Sequence, residues 1–236
     1  MNRILRKKIS KTNILLELFY NNKTFIPTFT SDLLINVCSE NIKKQKKILD
    51  LGCGISIVSI ALNQILKNKK FYGSDLSKDS IEISKLNAKK YNLDIDLKYG
   101  DCFDPWEGYK FDCIIDDVSG ISSELAIHSN WFKNIPCDAG NDGTKLIEKV
   151  LVNSKSYLNK NGNLFFPIIS LSNKNKILKI AKENFKNVIL LKSKKWFLSH
   201  DLEKHIEIMK VLKDKNFIDF KFEFGKIVCY TDIYNA

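Results

Sequence analysis

Ile48-Leu-Asp-Leu-Gly-Cys-Gly-Ile-Ser56 carries the strongest pattern in the chain. Lys47–Leu51 reads as a short, mostly apolar strand that runs directly into Gly52-Cys-Gly54, and Ile55–Leu66 then reads as a helix. A buried strand turning through Gly-x-Gly into a helix lets backbone approach a ligand where a Cβ would intrude. In an open parallel sheet, ligands sit in the crevice at the carboxyl ends of the strands, so this turn is also the first candidate binding site.

Working outward, strand-like and helix-like patterns alternate, which predicts an α/β domain with a mainly parallel sheet. Phe71–Asp75 is the second strand and Ser77–Tyr91 a helix with Ile81, Ile83 and Leu86 along one side. Ile95–Tyr99 is the third strand and Phe111–Ile115 the fourth. A long connection rich in Ser, Gly and Asp follows, with Trp131 and Phe132 inside it. Helices are expected over 143–158, 171–184 and 201–213, and strands over 163–169 and 188–192. Pro167 marks an irregular strand end, and Cys229–Tyr234 reads as an edge strand. Upstream, residues 10–20 and 31–43 read as helices, giving a helical N-terminal extension (1–43) before one domain spanning 44–236.

Four successive strands end in acidic residues on one rim: Asp50 just before the glycines, Asp75, Asp101, and Asp116 with Asp117. Such a rim repels anions and accepts a cationic or hydroxyl-rich ligand. Asp75 stands at about the spacing where a carboxylate takes both ribose hydroxyls. A dinucleotide would need Gly-x-Gly-x-x-Gly and a pyrophosphate on the helix N-terminus, but the third glycine is Ile57. An acidic residue two before the first glycine suits the α-ammonium of a methionine-type group instead.

Asp50-Leu-Gly52-Cys-Gly54-Ile-Ser56 resembles motif I of the class I S-adenosylmethionine-dependent methyltransferases, with Ser56 in place of its last glycine. The resemblance covers roughly residues 27–236. It implies a Rossmann-like fold, a mostly parallel seven-stranded sheet with helices on both faces, and S-adenosyl-L-methionine as cofactor. It further implies that Gly52 and Gly54 lie against the methionine moiety, with Asp50 and Cys53 in the same cofactor-binding motif, and that Asp75 binds the ribose. Leu76 would pack on adenine, and Asp101 would accept from the adenine amino group with Cys102 beside it. Phe25-Ile-Pro-Thr28-Phe-Thr30 and Asp138-Ala-Gly-Asn-Asp-Gly-Thr-Lys-Leu-Ile147 are similar to segments of the protein glutamine N5-methyltransferases, the first of which helps close over the cofactor. Those enzymes carry Asn-Pro-Pro-Tyr after the fourth strand, whereas this chain has Asp116-Asp-Val-Ser-Gly120.

Methyl transfer from a sulfonium requires mainly proximity and in-line alignment of the nucleophile. Asp116 or Asp117 would orient the acceptor, and a carboxylate can also take a proton. Asp116 counts in both the cofactor and the catalytic set. His128, with Trp131 as a substrate wall, is a further candidate base, and Ser119 a weaker one. The expected activity is methylation of a nitrogen (or oxygen) of a small molecule, peptide or protein. Two alternatives stand beside it: a ribosomal or transfer RNA methyltransferase, and a non-catalytic binding subunit that keeps the fold.

Composition bounds these readings. The 236 residues are 44% hydrophobic and 28% charged, which excludes disorder and disulfide scaffolds. Net charge is +11, yet of 38 basic residues only Arg3 and Arg6 are arginines. Arginine is the residue for bidentate phosphate recognition, so this balance weakens the nucleic-acid reading. The six cysteines show neither a CxxC pair nor zinc spacing, so no metal and reduced thiols are expected. No apolar stretch approaches a membrane span and no leader is read at the N-terminus, giving a cytoplasmic expectation for a monomer or homodimer. His200 and His205 are expected on the surface.

Overall fold

The computed structural model describes residues 2–133, 135 and 137–236. It divides into two compact units, the first made of residues 1–117 and 153–166, the second of 118–152 and 167–236.

The first unit carries β3 (Lys47–Leu51), β4 (Lys70–Asp75), β5 (Ile95–Tyr99), β6 (Phe111–Asp116) and most of β7 (Leu158–Ile169). Their order is β5-β4-β3-β6-β7, and every neighbouring pair is parallel. β3 is therefore central, and Ile48, Leu49 and Leu51 are fully buried, as expected of a strand covered on both faces. The register sets Leu51 opposite both Ser74 and Asp116, and Asp75 opposite Tyr99. The acidic ends of four strands thus share one rim, as the sequence predicts. The connecting helices are α2 (Ile57–Ile65) and α3 (Lys78–Lys90).

The N-terminal lead-in departs from expectation. Residues 10–20 are not a helix: β1 (Arg3–Lys8) pairs antiparallel with β2 (Leu15–Tyr20), and α1 (Phe29–Asn41) is the lead-in's one helix among the described residues. The apolar run in β2 has a period of two, with Leu16 and Leu18 buried and Leu15 exposed. Lys11 adopts a positive φ of 61° in the connecting turn. Asp32 of α1 accepts from the Ser10 hydroxyl at 2.5 Å and its N–H at 3.2 Å, which ties the hairpin's turn to α1.

α3 also buries an unexpected face. Ile81 and Ile83 are buried as predicted, but Leu86 is 43% exposed, and Ser80, Ser84 and Asn87 lie inward instead. The reason is polar: the Ser84 and Asn87 side chains bond carbonyls on the inside, and the Ser80 N–H donates to Ser77 Oγ, which caps the helix.

The second unit holds α4 (Ser123–Ala126), most of α5 (Lys145–Tyr157), α6 (Lys174–Asn184), α7 (His200–Glu203) and α8 (Ile206–Asp214). Its strands β8 (Ile189–Phe197), β9 (Lys221–Glu223) and β10 (Lys226–Asn235) are antiparallel. Leu125, Leu171, Leu202, Met209, Leu212 and Cys229 form its buried core, with Trp131, Phe132 and Trp196 packed against it.

The second unit and β7 also differ from the sequence expectation at three places. The helix over 201–213 is two helices, because His205 leaves helical geometry (φ −105°, ψ 33°). β10 is not an edge: Val228 pairs with Phe197 on one side and Lys221 on the other. In β7 the irregularity falls near Asn161 (φ 65°), where the register with β6 shifts, and Pro167 lies inside the strand. The mixed α/β architecture with a large, mostly parallel sheet is as predicted, β9 being a short addition to the seven strands. No helix among the described residues is long and apolar enough to cross a membrane.

Candidate functional site

The glycine turn takes its shape from left-handed backbone. Gly52 (φ 70°) and Gly54 (φ 54°) need it, and Ser56, where the motif resemblance has a third glycine, adopts it too (φ 63°). A Cβ at Gly54 would meet only the Gly52 carbonyl at 4.0 Å, so this side of the turn is open cradle. The turn is fastened from behind. Gly52 and Cys53 donate N–H bonds to the Ser74 carbonyl at 2.9 and 3.1 Å. Ser84 Oγ donates to the Gly54 carbonyl at 2.6 Å and Asn87 Nδ2 to the Ile55 carbonyl at 3.1 Å. Asn87 also donates to the Phe19 carbonyl at 3.0 Å and accepts the Phe19 N–H at 2.7 Å, so one side chain joins hairpin and turn.

Asp75 closes the other side. Its Oδ2 accepts from the Gly54 N–H at 2.9 Å and its Oδ1 from the Ser77 N–H at 2.8 Å. Burial raises its pKa above the ordinary carboxylate value, and those two N–H bonds offset only part of the rise. Leu76, the next residue, is 50% exposed, an apolar surface beside the carboxylate.

Asp50 is fully buried in β3, its Oδ2 accepting from Ser59 Oγ at 2.6 Å while Oδ1 meets no donor. Burial pushes its pKa up to about 7; the Ser59 bonds oppose this and the Asp75 charge adds to it. A buried carboxylate with an open lone-pair site is costly unless a donor or cation arrives. Cys53 and Cys102 are buried thiols, and burial holds the Cys53 pKa well above its usual range. Cys102 takes a left-handed φ of 51°, its carbonyl accepting from Ser74 Oγ at 2.7 Å. Asp101, just before it, is half-buried and uses its carbonyl to turn the chain toward Asp104 at 3.1 Å.

At the end of β6, Asp116 is fully buried and Asp117 half-buried. The Asp117 N–H donates to the Leu51 carbonyl at 2.9 Å, and its Oδ2 accepts from Ser31 Oγ at 2.8 Å. Burial drives the Asp117 pKa well above the ordinary carboxylate range; the Ser31 bond opposes this, and the Asp50 and Asp116 charges reinforce it. Thr28 caps α1, accepting from the Thr30 N–H at 3.3 Å, which places the predicted 25–30 segment at the helix start near Ser31.

The first unit therefore brings together Thr28, Asp50, Gly52, Cys53, Gly54, Asp75, Leu76, Asp101, Cys102, Asp116 and Asp117. His128, Ser119 and Trp131 belong to the second unit. There His128 stacks on His205 at 3.8 Å, Trp131 tilts against Trp196 at 5.9 Å, and Ser119 Oγ meets Cys137 Sγ at 2.8 Å. His200 is exposed as predicted, but His205 is half-buried by this stacking. Ser31, Ser59, Ser84 and Asn87 escaped the sequence reading. The signal for the last two is a polar residue every third or fourth position on a helix face otherwise facing inward.

The donor set fits S-adenosylmethionine. Asp50 offers an unmet buried acceptor for an ammonium, the open glycine turn admits close approach, and Asp75 and Leu76 present a carboxylate and an apolar wall for a nucleoside. Nothing among the described residues forms a cluster able to hold a metal ion.

Comparison with known proteins agrees. Residues 28–117 match the family model of the methyltransferase small domain. A release factor glutamine methyltransferase of Dictyoglomus turgidum is 30% identical over 198 residues, covering 79% of this chain and 68% of that protein. That of Streptococcus pneumoniae is 26% identical over 59% of this chain, which spans only 51% of it. The fold is shared with a T. thermophilus 16S rRNA methyltransferase solved with S-adenosylmethionine and guanosine (TM-score 0.60, 12% identity, 100% of this chain and 50% of that one). On this likeness and the geometry behind it, the chain is an S-adenosylmethionine-dependent methyltransferase of class I and belongs to the family of the release factor glutamine methyltransferases.

Proposed function

We propose that the acceptor is a nitrogen on a protein or peptide side chain, oriented by Asp117. The observation that carries this is the placement of Asp117: at the end of β6, beside Asp116, held by Ser31, where an N–H donor can be met by a carboxylate oxygen. The relatives are release factor glutamine methyltransferases, which supports a protein substrate. The pair Asp116–Asp117 in place of an amide side chain extends the choice from amides to amines.

S-adenosylmethionine supplies an activated methyl group. In this reading Asp75 holds its ribose hydroxyls, Leu76 covers adenine, Asp101 takes the adenine amino group and Asp50 faces the ammonium. Thr28 and Cys102 line the same site. Asp117 holds the acceptor nitrogen in line and, when ionised, accepts its proton.

The test is transfer of labelled methyl to recombinant release factor, to peptides presenting Gln or Lys, and to ribosomal RNA. Label on a protein nitrogen supports the proposal. Label confined to RNA, with activity falling steeply as salt rises, would replace it with the nucleic-acid reading. Cofactor binding with no transfer to any of them would point to a non-catalytic subunit.

A further inference from the structure

The hairpin β1–β2 has two backbone edges, and the fold treats them differently. On β2, the N–H groups of Glu17 and Phe19 donate to Tyr91 Oη and Asn87 Oδ1 at 2.7 Å each. The carbonyls of the same residues accept from Tyr91 and Asn87 at 3.3 and 3.0 Å. Two side chains of the α3 segment thus close that edge. Because residues 17 and 19 point away from β1, their partners Arg6 and Ile4 point away from β2, and so does Lys8 opposite Leu15. Among the described residues nothing meets the outward backbone of Ile4, Arg6 and Lys8.

That open edge is charged in one sense only. β1 carries Arg3, Arg6, Lys7 and Lys8 and no carboxylate, and it contains both arginines of the whole chain. Ile4, Arg6 and Lys8 share one face, on which Ile4 is 54% and Leu15 59% exposed. An unpaired edge is a template for another strand, and like charges directly opposite oppose pairing. A second copy of β1 would set cation against cation. Phosphates can accept the outward N–H groups but leave the alternating carbonyls unmet, and they would meet Glu17 on the same face, where it pairs with Arg6 at 2.9 Å. An extended acidic chain satisfies the backbone row, the cations and the exposed apolar side chains together.

We propose that the open edge of β1 is a docking site where an extended, acidic segment of a protein partner adds as a third strand, bonded to the outward backbone of Ile4, Arg6 and Lys8. The proposal is independent of which atom is methylated.

The test uses the whole chain and a labelled peptide of alternating Glu and Thr, read by fluorescence anisotropy at low salt, with a Lys–Thr peptide and oligouridine as comparators. The Glu–Thr peptide should bind and bring hydrogen-exchange protection to the amides of Ile4, Arg6 and Lys8. Ile4→Pro removes one outward N–H at an edge position that tolerates proline. It should weaken the peptide about tenfold or more while melting temperature and S-adenosylhomocysteine affinity stay unchanged. If that variant melts early, the pair Arg6→Glu with Lys8→Glu takes its place and should switch preference to the Lys–Thr peptide. Failure of the Glu–Thr peptide to bind, equal binding by folded Ile4→Pro, tighter binding of oligouridine, or no switch on charge reversal overturns the proposal.

Discussion

Ser31 Oγ donates to Asp117 Oδ2 at 2.8 Å, joining the first turn of α1 to the end of β6 across 86 residues of sequence. The bond restrains the rotamer of the carboxylate proposed to hold the acceptor, and it favours the ionised form. Ser31→Ala removes both effects. Since the Asp117 pKa is already raised by burial and by Asp50 and Asp116, losing Ser31 raises it further. The rising limb of kcat/KM against pH should therefore move to higher pH, with a stability loss of about 1 kcal/mol by urea melting. An unmoved limb would separate Asp117 from the pH dependence of the reaction.

Asp75→Ala should weaken S-adenosylhomocysteine about a hundredfold, because two charge-assisted bonds to the ribose would be lost. Calorimetric titration checks this. Near-unchanged affinity would remove Asp75 from the ribose site.

Asp116→Asn and Asp117→Asn should divide between binding and turnover. Asp117→Asn is expected to lower kcat by about a hundredfold with cofactor affinity within about twofold of wild type. If neither variant lowers kcat, the acceptor is held by other groups and His128 becomes the residue to substitute.

Much of this site was legible in the sequence because backbone geometry, not side-chain packing, defines it. Gly52 and Gly54 announce left-handed backbone, and a short apolar strand ending in Asp announces a sheet rim. What was not legible depends on tertiary partners. The run SKTNILLELFY holds enough apolar residues for a helix, and only pairing with Arg3–Lys8 and the inward burial of Leu16 and Leu18 settles it as a strand. Ser84 and Asn87 look like ordinary exposed helix residues until the carbonyls of Gly54 and Ile55 are placed beneath them. The ring partners of His128 and Trp131, which are His205 and Trp196, stand far along the chain and could not be read from the loop that follows β6.

Asp50 sets a pH dependence of stability. Its folded pKa, about 7, lies above the ordinary 3.8. The folded state therefore binds the proton more tightly than the unfolded chain, so this contribution is full below about pH 4 and is lost as pH rises through 7. In the absence of cofactor, melting temperature should fall as pH rises across that window, and Asp50→Asn should make the fall shallower, leaving the share that the raised carboxyls of Asp75 and Asp117 contribute. A flat wild-type profile would mean that Asp50 is ionised throughout at no cost.

Asn87→Leu should act on cofactor and hairpin at once, since one side chain bonds Phe19 and Ile55. Expected are a loss of about 2 kcal/mol in stability and about tenfold in S-adenosylhomocysteine affinity. A stability loss with unchanged affinity would show that the bond to Ile55 does not shape the turn.

Whether the glycine turn and its acidic rim hold S-adenosylmethionine is decided by calorimetric titration of the whole chain with S-adenosylhomocysteine, with NAD as control. S-adenosylhomocysteine should bind 1:1 with a dissociation constant in the micromolar range (about −8 kcal/mol), and NAD should give no heat. No binding of S-adenosylhomocysteine, or binding of NAD in its place, would contradict that reading of the turn.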